Sequence, residues 1–80
     1  MSRAEILEKL IPIFRDIFDD DDLTVTEETR REDIEDWDSM GHIYLIVEIE
    51  DVLGVKLEDS AAAKIRNVSD MIDLLLKQGI

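Results

Sequence analysis

Cysteine is absent from the chain, which removes disulfides, thiolate metal sites and cysteine nucleophiles at once. Histidine occurs once, as His42, leaving no His-rich metal site and no histidine dyad. Glycine and proline are scarce, three and one among 80 residues, which speaks against an all-β or collagen-like chain. Basic residues are few: nine Lys and Arg face 21 Asp and Glu, for a net charge of −12. A surface this acidic suits neither nucleic acid nor anionic lipid, and it favours basic partners. No apolar run is long enough to span a membrane. Glu5, Glu8 and Lys9 interrupt the amino-terminal segment where a signal peptide would need its apolar stretch. The expectation is a cytoplasmic monomer with no nucleic-acid binding and no membrane insertion.

What the chain does have is helical periodicity. Its length allows one domain, residues 1–80, around one modest core. Ser2 and Glu5 form a capping-box pattern. Behind it Ile6, Leu7, Leu10, Ile11, Phe14, Ile17 and Phe18 recur at spacings of three and four, predicting a helix over about 3–18. Pro12 lies inside this pattern, but the apolar face continues in register across it, so one kinked helix is expected rather than two. A second helix is expected over about 39–53, closed by Gly54 in a left-handed cap. A short helix over 58–64 follows, and a last one opens at the Asn67–Asp70 cap signal with Val68, Met71, Ile72, Leu75 and Leu76 inward. The fold class is all-α: three main helices, one short helix and a long first loop.

That loop, residues 19–38, holds eleven acids and two bases. Leu23, Val25, Ile34 and Trp37 are spaced too irregularly for a helix or strand and read as anchors tying the loop to the core. A short helical turn near 27–31 or 31–34 is compatible with the pattern. A calcium loop is not. A twelve-residue register from Asp20 puts Val25 where glycine is required and Arg31 where a bidentate glutamate is required. No metal site is expected.

The chain is organised around Trp37-Asp38-Ser39-Met40-Gly41-His42-Ile43, where the acidic loop becomes the second helix. Two readings of Ser39 are open. Either Asp38 or Ser39 is simply the helix cap, or the Ser39 hydroxyl is exposed for attachment of a group whose phosphate would meet the positive end of a helix. Further along, Leu45, Ile46, Ile49, Val52 and Leu53 form the expected core arc. Met40, Ile43, Tyr44, Val47, Glu50 and Asp51 form a second arc on the side carrying Ser39. That apolar strip rimmed by acids reads as a docking surface, unless the first loop folds over it. His42 falls near the core arc and reads as a packing residue. A serine nucleophile is disfavoured, since no G-x-S-x-G elbow exists and His42 has no orienting acid. No catalytic residue is assigned.

Asp38-Ser39-Met40 at the start of the second helix resembles the Asp-Ser-Leu signature of acyl carrier proteins. The likeness extends over essentially the whole chain: the leading helix, the long acidic loop, the second helix ending in Leu53-Gly54-Val55, the short 58–64 helix, the Ile65-Arg66-Asn67-Val68 connection and the last helix. The resemblance implies an acyl-carrier-like bundle in which a separate phosphopantetheinyl transferase moves 4′-phosphopantetheine from coenzyme A onto Ser39. The arm's thiol would then carry acyl groups as thioesters in fatty acid, lipid or polyketide-type biosynthesis. It also implies acyl ligase or synthase partners whose basic patches meet Asp38, Met40, Ile43, Tyr44, Val47, Glu50 and Asp51. Gly41, His42 and Tyr44 stand where the carriers of fatty acid synthesis are often acidic, and Trp37 before the aspartate resembles specialised stand-alone carriers. The alternatives are an aminoacyl or peptidyl carrier using the same serine, and an acidic helical interaction module bearing no cofactor.

Overall fold

The computed structural model describes residues 1–80 as four α-helices, α1 (Arg3–Ile17), α2 (Ser39–Leu53), α3 (Asp59–Ala63) and α4 (Val68–Lys77), with a 3-10 turn at Arg31–Asp33 in the first loop. Extended backbone pairs only at one isolated bridge, Arg30 with Asn67. The all-α expectation holds, and of the two positions compatible with a helical turn in the loop, 27–31 and 31–34, the second is the one occupied.

The capping box opens α1. The Ser2 hydroxyl accepts from the Glu5 amide at 3.2 Å, and the Glu5 carboxylate accepts from the Ser2 amide at 2.9 Å. The Ser2 amide, with the Ser2 hydroxyl beside it, holds the Glu5 carboxyl below its ordinary pKa. The helix passes through Pro12 in one piece and buries Ile6, Leu10, Ile13 and Phe14. It ends at Asp19, whose φ of +51° turns the chain left-handed. The Asp20 amide then donates back to the Arg15 carbonyl at 3.0 Å and the Asp19 amide to Asp16 at 3.3 Å. This is a Schellman turn with aspartate, the residue after glycine and asparagine best suited to that conformation. A backbone turn, and not only charge repulsion, therefore stops the helix.

The first loop is tied down at both ends of its course. Val25, Ile34 and Trp37 are buried, and Leu23 packs against them from the margin. The loop also bonds along the start of α4: the Arg31 amide donates to the Arg66 carbonyl, the Val68 amide to Thr29, and the Ser69 amide to Glu27, at 2.9–3.1 Å. Arg3 reinforces this seam through Glu27 at 2.8 Å, Asp73 at 2.6 Å and the Ser69 hydroxyl at 2.9 Å. The Glu27 and Asp73 carboxylates raise the guanidinium pKa. Being exposed, such pairs fix orientation more than they stabilise.

Sixteen buried apolar residues form one continuous core drawn from α1, α2, α4, the first loop and the connections on either side of α3. Phe14 stands edge-on to Trp37 with ring centroids 5.2 Å apart, and Phe18 tilts against Phe14 at 5.9 Å. A fully buried Leu, Ile or Phe here contributes about 1.5–3 kcal/mol relative to exposure. Two assignments change. Val52, expected inside, is 55% exposed, because α2 narrows its core face to Leu45 and Ile49 with Ile46 and Leu53 at the margins. Leu76 likewise lies outside the α4 face formed by Val68, Met71, Ile72 and Leu75. No helix is long and apolar enough to cross a membrane.

Candidate functional site

Ser39 is the first residue of α2, and Asp38 is its cap. The Asp38 carboxylate accepts from the Gly41 amide at 2.8 Å, and its carbonyl accepts from the His42 amide at 2.8 Å. Because Asp38 does this work, the Ser39 hydroxyl is left exposed and bonded to no protein group. No protein acceptor takes the Ser39 and Met40 amides either, so they point outward at the positive end of a 15-residue helix. An anion joined to Ser39 would meet free donors there.

The approach of the loop to this helix mouth depends on Gly41. A Cβ on Gly41 would overlap the Asp36 carbonyl oxygen and lie 3.2 Å from the Phe18 ring. Glycine therefore lets the loop backbone press against the first turn of α2, with Trp37 buried beneath it at 3% exposure.

Below Ser39, Met40, Ile43, Tyr44 and Val47 form one exposed strip, each 56–59% accessible. Their i, i+3, i+4 and i+7 spacing puts them on one face. The first loop does not cover them; it lies along α1 and the start of α4. Asp51 is exposed further down. Glu50, grouped with it from the sequence, is half-buried and engaged: its carboxylate accepts from the Leu57 amide at 2.8 Å and so holds the turn after α2. The first turn of α2 holds no acidic residue. The face nearest Ser39 is thus apolar, and its charge comes from Asp36 and Asp38 on one side and Asp51 on the other.

Beside the strip runs a groove of about 370 Å³ between α2 and α3, lined mainly by Ile43, Ile46 and Val47 on one wall and by Asp59, Ala62 and Ala63 on the other. His42 lines it too. Two other surface depressions are lined by residues from outside α2.

His42 is the residue whose part the sequence did not disclose. It is 7% exposed, as a packing residue would be, but both ring nitrogens are occupied. The Trp37 indole N–H donates to His42 Nδ1 at 2.9 Å, and His42 Nε2 lies 2.8 Å from the Ala62 carbonyl. An indole only donates and a carbonyl only accepts, so the partners fix the neutral ring with its proton on Nε2. Burial pushes the His42 pKa below 6.5, the Ala62 hydrogen bond pulls it part of the way back, and the Arg31 charge, the smallest of the three effects, lowers it again. The ring thereby joins the first loop, α2 and α3 at one point. Losing either partner would strand a buried polar atom at a cost of about 1–3 kcal/mol. The available signal was the chain's single Trp and single His lying five residues apart, two side chains that each need a polar partner when buried.

No family model matches the chain. It is 37% identical over 78 residues to an acyl carrier protein of Rubrobacter xylanophilus, spanning 96% of this chain and 95% of that protein. Its fold superposes on the solution structure of a holo acyl carrier protein from Geobacter metallireducens with a TM-score of 0.82, at 43% identity, covering 90% of this chain and 83% of that one. The crystal structure of an acyl carrier protein from Thermotoga maritima aligns with a TM-score of 0.82 at 32% identity, covering 98% and 91% of the two chains.

Proposed function

The chain belongs to the acyl carrier protein family and is a non-catalytic acyl carrier, and on that premise we propose that Ser39 bears a 4′-phosphopantetheine arm placed there by a separate phosphopantetheinyl transferase. One observation carries the assignment: Asp38 caps α2, so the Ser39 hydroxyl is exposed and free of any structural duty. The residues around it fit the group. The unpartnered amides of Ser39 and Met40 and the positive helix end favour a phosphodiester. The arm supplies a thiol on which acyl groups ride, a chemistry that a chain without cysteine cannot provide itself.

The chain's own part is to present that serine and to dock. Met40, Ile43, Tyr44 and Val47 offer an apolar contact beside Ser39, with Asp38 and Asp51 as flanking charges for basic groups of a transferase and of an acyl ligase or synthase. Glu50 contributes by holding the turn after α2 and by adding negative potential there. In this reading residues 1–80 act as a single carrier domain, monomeric and cytoplasmic. Neither an aminoacyl or peptidyl carrier nor a cofactor-free interaction module is favoured.

The test is mass spectrometry. Purified protein incubated with coenzyme A, magnesium and a promiscuous phosphopantetheinyl transferase is expected to gain the mass of one phosphopantetheine, and Ser39→Ala to gain none. No gain with several transferases, or a gain retained in Ser39→Ala, would overturn the assignment.

A further inference from the structure

Arg30, Arg31 and Arg66 are three of the seven residues lining one surface depression of about 480 Å³, in a chain whose net charge is −12. The backbone puts them there. Arg30 and Asn67 form the isolated bridge between the first loop and the start of α4, and the Arg31 amide donates to the Arg66 carbonyl at 3.1 Å. Two segments far apart in sequence thus set like charges beside each other, an arrangement that repulsion disfavours. The chain's own acids do little to offset it. Arg31 and Arg66 take part in none of the ion pairs, and Arg30 meets Asp33 only at 3.6 Å. Glu32 is the one acid on the wall. The depression therefore presents unpaired guanidinium groups, whose planar forks match a carboxylate. Ala63 lines both this depression and the groove between α2 and α3, which begins one turn from Ser39 and has Ile43 and Val47 on its other wall. Arg31 is close enough to His42, which also lines that groove, for its charge to act on the ring. An apolar surface track thus leads from beside Ser39 to the arginines without entering the core. A group tethered at Ser39 samples the track at an effective concentration of roughly millimolar, so a weak anion site suffices to hold it.

We propose that the Arg30–Arg31–Arg66 depression is a cargo-selecting anion site: it takes the free carboxylate at the far end of a dicarboxylic acyl group carried at Ser39, and so favours such cargo over acyl chains ending in a methyl. This deepens the acyl-carrier reading and rests on Ser39 being the attachment site. The methylenes between thioester and carboxylate lie along Ile43, Val47 and Ala63, and the carboxylate replaces water on Arg31 and Arg66. The sign of the local charge makes the site recognisable. Elsewhere on so acidic a surface a carboxylate is repelled and titrates above its ordinary value, whereas beside these guanidinium groups it titrates below.

The experiment loads the protein in one transferase step from the coenzyme A thioesters of succinate, glutarate, adipate and suberate, each labelled with carbon-13 at the free carboxyl, and from the matching ω-amides. NMR follows the carboxyl signal through a pH titration and the arginine Nε–H signals at neutral pH. In the native protein the carboxyl of at least one chain length should titrate lower, by about 1 on the pH scale or more, than in the same thioester of free coenzyme A. At that length the Arg31 and Arg66 Nε–H signals should move for the acid and stay for its ω-amide, and the difference should shrink as salt is raised. Arg66→Gln changes an exposed side chain that holds nothing in the fold, so it should leave the protein folded and return the carboxyl toward its ordinary titration. Arg31→Gln should do the same. Carboxyls that titrate at or above the free thioester value at every length would overturn the proposal, as would a lowered value that survives both substitutions together. So would movement of the two arginine signals by free adipate at the protein's own concentration, because the site would then serve an untethered anion. Failure to load any of the thioesters counts against Ser39 and the proposal with it, whereas loading followed by an ordinary titration counts against the arginines alone.

Discussion

Trp37 and His42 lie nearly parallel, ring centroids 6.2 Å apart and planes 20° apart, joined by the indole N–H donating to Nδ1 at 2.9 Å. A second proton on His42 would have to go on Nδ1, directly against that indole N–H. Protonation therefore removes a hydrogen bond and replaces it with two opposed donors. The Trp37 ring also packs edge-on to Phe14, so the disturbance reaches the centre of the core.

The consequence for stability has a definite sign. The folded His42 pKa lies below 6.5, so the unfolded chain takes up this proton first. The stabilisation is complete above pH 6.5 and declines as the pH drops through 6.5 toward the depressed folded value. Burial is the main cause and the Arg31 charge adds to it, while Glu50, on the wall of the same groove, is engaged with Leu57. Ordinary carboxylates titrate near 4, so His42 governs the interval from pH 6.5 to 5.5. Urea unfolding across that interval should show stability falling by up to about 1.4 kcal/mol per pH unit. In His42→Gln the slope should vanish, and an identical slope there would assign the titration to another group.

Gly41→Ala tests the contact between loop and helix. Inside an ordinary helix this change gains about 1 kcal/mol. Here the added methyl meets the Asp36 carbonyl oxygen and the Phe18 ring, and overpacking of this kind costs about 1–3 kcal/mol. Net destabilisation is expected, with Trp37 fluorescence shifted because the loop behind it must move. A variant more stable than the native protein would show that the loop yields freely.

Much of this arrangement was legible because it is periodic or local. The apolar spacing fixed α1, α2 and α4, and Ser2, Asp38, Gly54 and Asn67 announced their ends. Residue type and position left the cap open between Asp38 and Ser39, and the Asp38–Gly41 hydrogen bond decides it for Asp38, which frees Ser39. What stayed hidden depends on contacts between distant segments. Nothing local marks Ala62 as the acceptor for His42, or Leu57 as the donor to Glu50, because backbone groups carry no sequence signal. Val52 has the same apolar chemistry as Val47 and looked like core. Its exposure is set by which segments pack against the last turn of α2, which helical periodicity does not report.

The docking strip and Glu50 must be separated when partner binding is tested. Val47 and Tyr44 are more than half exposed and make no side-chain hydrogen bond, so Val47→Asp and Tyr44→Asp should leave stability within about 0.5 kcal/mol of the native value. If the strip contacts the transferase, each should slow loading of Ser39 by roughly tenfold or more, the effect of losing one central apolar contact. Charge reversal at Glu50 differs in kind, because it also removes the acceptor for the Leu57 amide. Glu50→Lys is expected to loosen the turn after α2 and cost about 1–3 kcal/mol from the stranded donor. A slower loading rate in that variant thus mixes two causes. Asp51→Lys alters charge alone, and its effect on loading should diminish as salt is raised, as expected for an exposed charge. Stopped loading assays on Val47→Asp, Asp51→Lys and the native chain at two salt concentrations resolve the apolar and electrostatic parts. Equal rates in all three would place the contact on another face of the molecule.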